Sequence, residues 1–367
     1  MKIGILTLHH AINYGAFLQC YALQEVLKSL GHDVSVIDYS PRYFKKDYAV
    51  VNFDGFKSLS LYRKLRRVLG IILLFIPRII RRVVFLKSIK SYLRIYGNSF
   101  SDIEETDISF YDVIVFGSDQ IWNSKITRGF DSVFWGDFNF QGKKITYAAS
   151  AGDDFSILEN DIESFKNSLL NFSSISVRER RLEKFLIDKY NVPSETVLDP
   201  TLLLDDGKWS KFAGERRKNE KYLLLYIVIP SPEAKRIARK IAKELNLKIK
   251  EIFPSASPNP MSWANASCSP SNFVRLFRDS QFVVTTSFHG TSFAINFHKE
   301  FYAVNTGMPN ERILSLLRLT GLEDRYINSA DNVNVKYIDF LLVNKKLQNE
   351  KIKSYSFIAN SMGLSEV

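Results

Sequence analysis

The chain has 367 residues, 46% of them hydrophobic, with 50 Lys and Arg against 39 Asp and Glu, a formal charge of +11. This length predicts two domains, and this much apolar material excludes global disorder. The positive charge favours anionic partners such as phosphorylated metabolites or acidic lipid heads. No RNA-binding or helix-turn-helix signature accompanies it, so nucleic acid is not expected as a partner.

Lys2–Leu8 reads as a buried strand with no signal peptide ahead of it, so a cytoplasmic placement is expected. Ala16–Leu30 has apolar residues at helical spacing and ends at Gly31, and Val34–Ile37 reads as the next strand, ending at Asp38. A strand–helix–strand unit predicts a parallel sheet. Residues 43–97 are basic and helical in pattern, an insertion into that sheet. Within them, the apolar runs Val68–Ile76 and Val83–Leu86 are separated by Pro77, Arg78, Arg81 and Arg82, too early for a membrane span. Two readings stand: helices packed on the domain with arginines on the wet face, or a basic amphipathic face lying on the inner surface of an anionic membrane.

Strands are next expected at Asp112–Phe116, Lys144–Ala149, Ser174–Val177 and Thr196–Leu198, with helices at Leu158–Leu170 and Arg180–Tyr190. The polar run 205–220 marks a boundary. A second series follows: strands at Tyr222–Ile229, Lys248–Phe253, Phe282–Thr286 and Phe301–Val304, helices at Pro232–Leu245, Asn272–Asp279 and Thr291–Phe297. The fold expected is α/β, two Rossmann-like doubly wound domains facing a cleft. They cover residues 1–205 and 220–340, and a helix in 341–367 packs back on the first. Cys20 and Cys268 lie far apart, outside any Cys/His cluster, so neither disulfide nor structural metal is expected.

In open α/β sheets ligands sit beyond the carboxyl ends of the strands, so the residues that follow each strand are the candidates. After the first come Asn13, Tyr14 and Gly15, either ligand contacts or a helix cap with packing behind it; the GxGxxG fingerprint is absent, which argues against a nicotinamide. Ser118, Asp119, Gln120, Trp122 and Asn123 pair polar groups with a flat ring, as sugar recognition needs; the alternative is Asp119 as a cap and Trp122 as core. Arg178, at a strand end, suits a phosphate or carboxylate, or pairs with Glu179. Asp199 reads as a loop anchor. Ser287, His289, Gly290 and Thr291 form a strand-to-helix turn whose N–H groups suit phosphate and whose imidazole exchanges protons near neutrality. Arg312 is a second anion candidate.

NYGAFLQCYALQ (13–24), GSDQIWN (117–123), YAASAG (147–152), SVRE (176–179), LDPTLLL (198–204), SFHG (287–290) and NERI (310–313), in this order and spacing, resemble the bacterial polysaccharide pyruvyl transferase family. The resemblance implies a GT-B-like fold. It also implies an enzyme that takes pyruvate from phosphoenolpyruvate and sets it as a cyclic ketal across two hydroxyls of a hexose in a surface polysaccharide or its lipid-linked precursor. Phosphoenolpyruvate is then a co-substrate, with no cofactor or metal. Arg178 would hold the donor with Ser287, His289, Gly290, Thr291 and Arg312. His289 and Asp119 would be catalytic. Asn13, Tyr14, Gly15, Ser118, Asp119, Gln120, Trp122 and Asn123 would hold the acceptor. The family's Arg-Leu-His-Gly stretch departs here to Ser287-Phe288-His289-Gly290, so one donor contact is absent. A glycosyltransferase using a nucleotide sugar and a non-catalytic glycan-binding protein are the alternatives.

Overall fold

The apolar runs become strands buried on both faces, which parallel sheets covered by helices require. The computed structural model describes residues 1–51, 56, 58–152, 162–216, 220–255, 266–307, 310–334 and 336–364. Seven parallel strands form the first sheet: β1 (Lys2–Leu6), β2 (Asp33–Tyr39), β3 (Ile95–Phe100), β4 (Val113–Asp119), β5 (Lys143–Ala149), β6 (Ser176–Val177) and β7 (Glu195–Thr196), in the order β3-β2-β1-β4-β5-β6-β7. The second sheet holds β8 (Tyr222–Tyr226), β9 (Lys248–Ile252), β10 (Phe282–Thr285), β11 (Glu300–Val304) and β12 (Tyr326–Ile327), in the order β12-β11-β10-β8-β9. Both are doubly wound, and together they form the GT-B-like α/β fold.

Several elements differ from their expected form. Strand β3 emerges from the tail of the basic insertion; it is an edge strand that buries only Phe100, so it carries little apolar signal. The insertion contains a long continuous helix, Leu61–Tyr92, running through Pro77, after the short helix Arg42–Asp47. Arg81 is not on the wet face. It is 5% exposed, its guanidinium stacks on the Tyr14 ring at 4.8 Å, and it donates to the carbonyls of Phe253 (3.4 Å) and Pro254 (2.6 Å). The helix expected over 158–170 covers Ile162–Leu169, and its first residues lie outside those described. Residues 256–265, most of the Pro/Ser/Asn-rich run 255–272 after β9, also lie outside the described residues.

The two sheets meet along the helix Tyr14–Ser29. Tyr14 stacks on Phe273 with ring centroids 4.3 Å apart and donates its hydroxyl to the carbonyl of Cys268 at 3.0 Å. Asn296 crosses the seam to the carbonyl of Thr201 at 2.7 Å. The final helix, Phe340–Met362, packs on the second domain and then returns to the first. There Ser354 Oγ accepts from the Leu198 amide at 3.0 Å and Phe357 joins the core beside Tyr147. Cys20 and Cys268 are both buried free thiols.

Candidate functional site

Strand order reverses between β1 and β4 in the first sheet and between β8 and β10 in the second. These reversals open crevices at the carboxyl ends of the strands. The two crevices face each other across a cavity of about 170 Å³. Asn13, Asp119 and Gln120 line it from the first domain, and Ser287, His289 and Arg312 from the second, with Tyr48 and Asn310 at its edge. A space this small suits a compact metabolite or one sugar ring, being below the usual range of about 300–1,000 Å³ for drug-sized ligands.

Asn13 caps the helix Tyr14–Ser29, accepting from the amides of Gly15 at 2.8 Å and Ala16 at 3.4 Å, while presenting its other side to the cavity. Gly15 is one contact point between the domains. A Cβ there would meet the imidazole of His289, so only glycine lets the histidine rest on this helical turn. Asp119 ends β4 with φ 74°, a left-handed conformation that turns it into the cleft. Asn123 holds the neighbouring Gln120 with a 2.7 Å bond from Nδ2 to Oε1 and caps the short helix that follows. Gly152, at φ +73°, backs both amides with no room for a side chain.

His289 stands on the first turn of the helix Phe288–Asn296. Its Nε2 is buried without a hydrogen-bond partner, 3.9 Å from Asp199 Oδ2. Burial lowers its pKa below the ordinary histidine value, against the opposing pull of Asp199 and Asp119. Ser287 caps that helix, accepting from the Gly290 amide at 3.3 Å, and Thr291 Oγ1 is committed to the Ser287 carbonyl at 3.0 Å. Gly290 packs on the Thr285 side chain.

Behind the cavity wall, one arginine meets three carboxylates. Arg178 donates through Nη1 to Asp199 (3.0 Å) and through Nε to Glu179 (3.1 Å), and Nη2 lies 3.9 Å from Asp119 with no hydrogen bond. Its guanidinium covers the Phe288 ring at 4.8 Å. Burial would raise the Asp199 carboxyl, but His289, Arg178 and the two bonds from Thr201 hold it below its ordinary value. Burial wins at Glu179, whose carboxyl is pushed up despite Arg178 and a 2.7 Å bond from Ser150.

The expected residues therefore divide. Asn13, Asp119, Gln120, Ser287, His289 and Arg312 line one cavity. Arg178 does not: it is buried among acids, not offered to a donor anion. Trp122 is 1% exposed and stacked on Trp135 at 4.8 Å, so no ring face remains for a sugar. Tyr14 is spent on the domain seam. Ser118 donates to the Ala148 carbonyl at 2.9 Å inside the sheet, and Gly15, Asn123, Gly290 and Thr291 do not line the cavity.

Sequence reasoning missed Tyr48, which approaches from the insertion, noted Asn310 only as part of the NERI motif, and read Asp199 only as a loop anchor. Asp38 Oδ1 also lies 3.0 Å from His9 Nε2 and 2.5 Å from His10 Nε2. Among the described residues this is the one grouping of three ligand atoms close enough to share an ion. The signal was His9-His10 after β1 and Asp38 near the end of the adjacent β2.

Among solved structures, the chain is similar to UDP-GlcNAc 2-epimerase from Neisseria meningitidis (10% identity, TM-score 0.45, covering 100% of this chain and 95% of that one). It is likewise similar to the E. coli heptosyltransferase WaaC (10%, 0.42, 95% and 100%) and to Phytolacca americana UGT2 (8%, 0.43, 99% and 98%). At these scores the likeness carries no argument about activity. No curated protein matches the sequence. The family model of polysaccharide pyruvyl transferase matches residues 13–307, a stretch that holds five of the six expected residues that line the cavity, all but Arg312. The chain is therefore a transferase that belongs to the polysaccharide pyruvyl transferase family.

Proposed function

We propose that the cavity transfers pyruvate from phosphoenolpyruvate to a hexose, bridging two hydroxyls as a cyclic ketal in a surface polysaccharide or its precursor. The observation that carries this is the meeting of His289 and Arg312 with Asp119 and Asn13 around one small cavity. Its two sides supply a proton carrier, a cation for phosphate or carboxylate, a base and a hydroxyl-binding amide. Protonated His289 delivers its proton to the methylene carbon of the donor. One acceptor hydroxyl bonds to the adjacent carbon and gives its proton to Asp119. The bond from that carbon to the phosphate oxygen breaks, and phosphate leaves with the Asp119 proton. The second hydroxyl then closes the ketal and returns a proton to His289.

The lowered pKa of His289 makes its protonated form a stronger acid than an ordinary imidazolium, which helps it to protonate carbon. Arg312 and the N-terminus of the helix Phe288–Asn296 stabilise the departing phosphate. Arg178 acts indirectly, fixing Asp199 beside His289. The test is phosphate release from phosphoenolpyruvate with a panel of hexose acceptors, alongside mass spectrometry of the sugars. Acceptor-dependent phosphate and a gain of pyruvate less water support the reading. Stabilisation by a nucleotide sugar but not by phosphoenolpyruvate would replace it with the glycosyltransferase alternative, which the Ser287 departure favours.

A further inference from the structure

The helix Leu61–Tyr92 has two unlike faces. The inner one meets the protein: Leu74, Arg81, Phe85 and Ile89 are buried, and Arg67 and Arg78 line a second cavity, of about 590 Å³. The outer one is bare. Leu65, Leu69, Ile72, Ile76, Ile79 and Val83 follow one another at steps of four and three residues, a single stripe on the side of the helix opposite Leu74. Leu65, Leu69, Ile72 and Ile76 are 57% to 66% exposed, where a core-facing leucine is near zero. A contiguous apolar surface of this kind marks an interaction site.

Spacing alone suits two occupants, the same stripe of a second copy or a lipid surface. Charge decides between them. No Asp or Glu stands anywhere between Asp54 and Asp102, while Lys64, Arg66 and Arg82 flank the stripe. Two copies would bring like charges together, whereas paired helices need opposite charges beside their seam. An anionic bilayer takes both features at once, the stripe among its acyl chains and the cations on its phosphates. No helix among the described residues is long and apolar enough to cross a membrane.

We infer that the helix Leu61–Tyr92 lies lengthwise on an anionic lipid bilayer, its Leu65–Val83 stripe inserted and Lys64, Arg66 and Arg82 on lipid phosphates. Tyr48 lines both the cavity under this helix and the cleft cavity, so a docked molecule holds its cleft near the membrane surface. The inference is independent of the donor chemistry, and its test needs no turnover. The full chain is sedimented with large vesicles of phosphatidylcholine, with and without phosphatidylglycerol. The Leu69→Glu, Ile72→Glu, Ile76→Glu triple variant is run beside it, and its unchanged Tm verifies the fold. The wild type should pellet with the anionic vesicles. That binding should fall at least tenfold in the triple variant, and severalfold when salt rises from about 0.1 M to about 0.5 M. No pelleting with anionic vesicles, or pelleting that ignores the three glutamates, overturns the inference. So does a stable dimer in the absence of lipid that the triple variant converts to monomer, which would give the stripe to a second copy.

Discussion

Gly15→Ala separates catalysis from stability. In an isolated helix the change would stabilise by about 1 kcal/mol. Here the new Cβ would collide with Nδ1 and Cε1 of His289 and lie 2.8 Å from Cγ. Comfortable carbon contacts are about 3.5–4.0 Å, so the imidazole must retreat by about 1 Å. Overpacking of this kind costs about 1–3 kcal/mol, leaving a net loss of at most about 2 kcal/mol, which a chain with two full cores withstands. Turnover does not withstand it, because a 1 Å misplacement of a reacting group costs about a hundredfold. The assay is kcat for phosphate release beside urea unfolding of the same sample. A Gly15→Ala protein with kcat within threefold of wild type would refute the claim that His289 works from its seat on this turn.

Four further outcomes are expected. His289→Gln should lower kcat by about 10²–10⁴-fold with the fold retained. Because burial lowers the His289 pKa and the proposed reaction uses its protonated form as the acid, kcat/KM in the wild type should fall as pH rises through a value below 6.5; an alkaline limb centred above pH 7.5 would contradict this. Arg178→Met should act mainly on stability, costing about 3–5 kcal/mol by leaving Asp199 and Glu179 buried without their partner, and an unchanged Tm would show that the carboxylates do not depend on it. Arg312→Ala should abolish thermal stabilisation by phosphoenolpyruvate, and Ser287→Arg in that background should restore it while losing about 0.5–2 kcal/mol of helix capping. Full stabilisation of Arg312→Ala by phosphoenolpyruvate would remove Arg312 from the donor site.

The central strands were legible because parallel strands buried on both faces are written as apolar runs, as in Val113–Phe116 and Val283–Thr285. Their carboxyl ends located the cleft, which is why Asn13, Asp119, Ser287 and His289 could be named from position alone. What position could not tell was direction. Trp122 and Gln120 are two residues apart in one turn, yet one faces the core and the other the cavity. Arg178 at a strand end looks the same in sequence whether it meets a ligand or three acids. That difference depends on Asp199 and Glu179, and the Asp199 contact forms only after folding. Strand β3 escaped for the opposite reason: an edge strand with one buried residue has almost no pattern to read.

Neither domain holds a complete site. The first contributes Asp119 and, behind the wall, Asp199 and Glu179; the second contributes His289 and Arg312. For the proposed reaction, a cleft built from the first domain alone would repel the phosphorylated donor, and one built from the second alone would lack a base. The chemistry therefore depends on the seam, and the seam is itself made of site neighbours: Tyr14 follows Asn13 and stacks on Phe273, while Gly15 carries the His289 ring. Arg81 ties the same tyrosine to the Phe253 and Pro254 carbonyls from the helix inferred to rest on lipid. The helix inferred to rest on lipid and His289 thus bear on consecutive residues, Tyr14 and Gly15. A shift of that helix upon docking would reach the cleft through two side-chain contacts, without any rearrangement of either sheet.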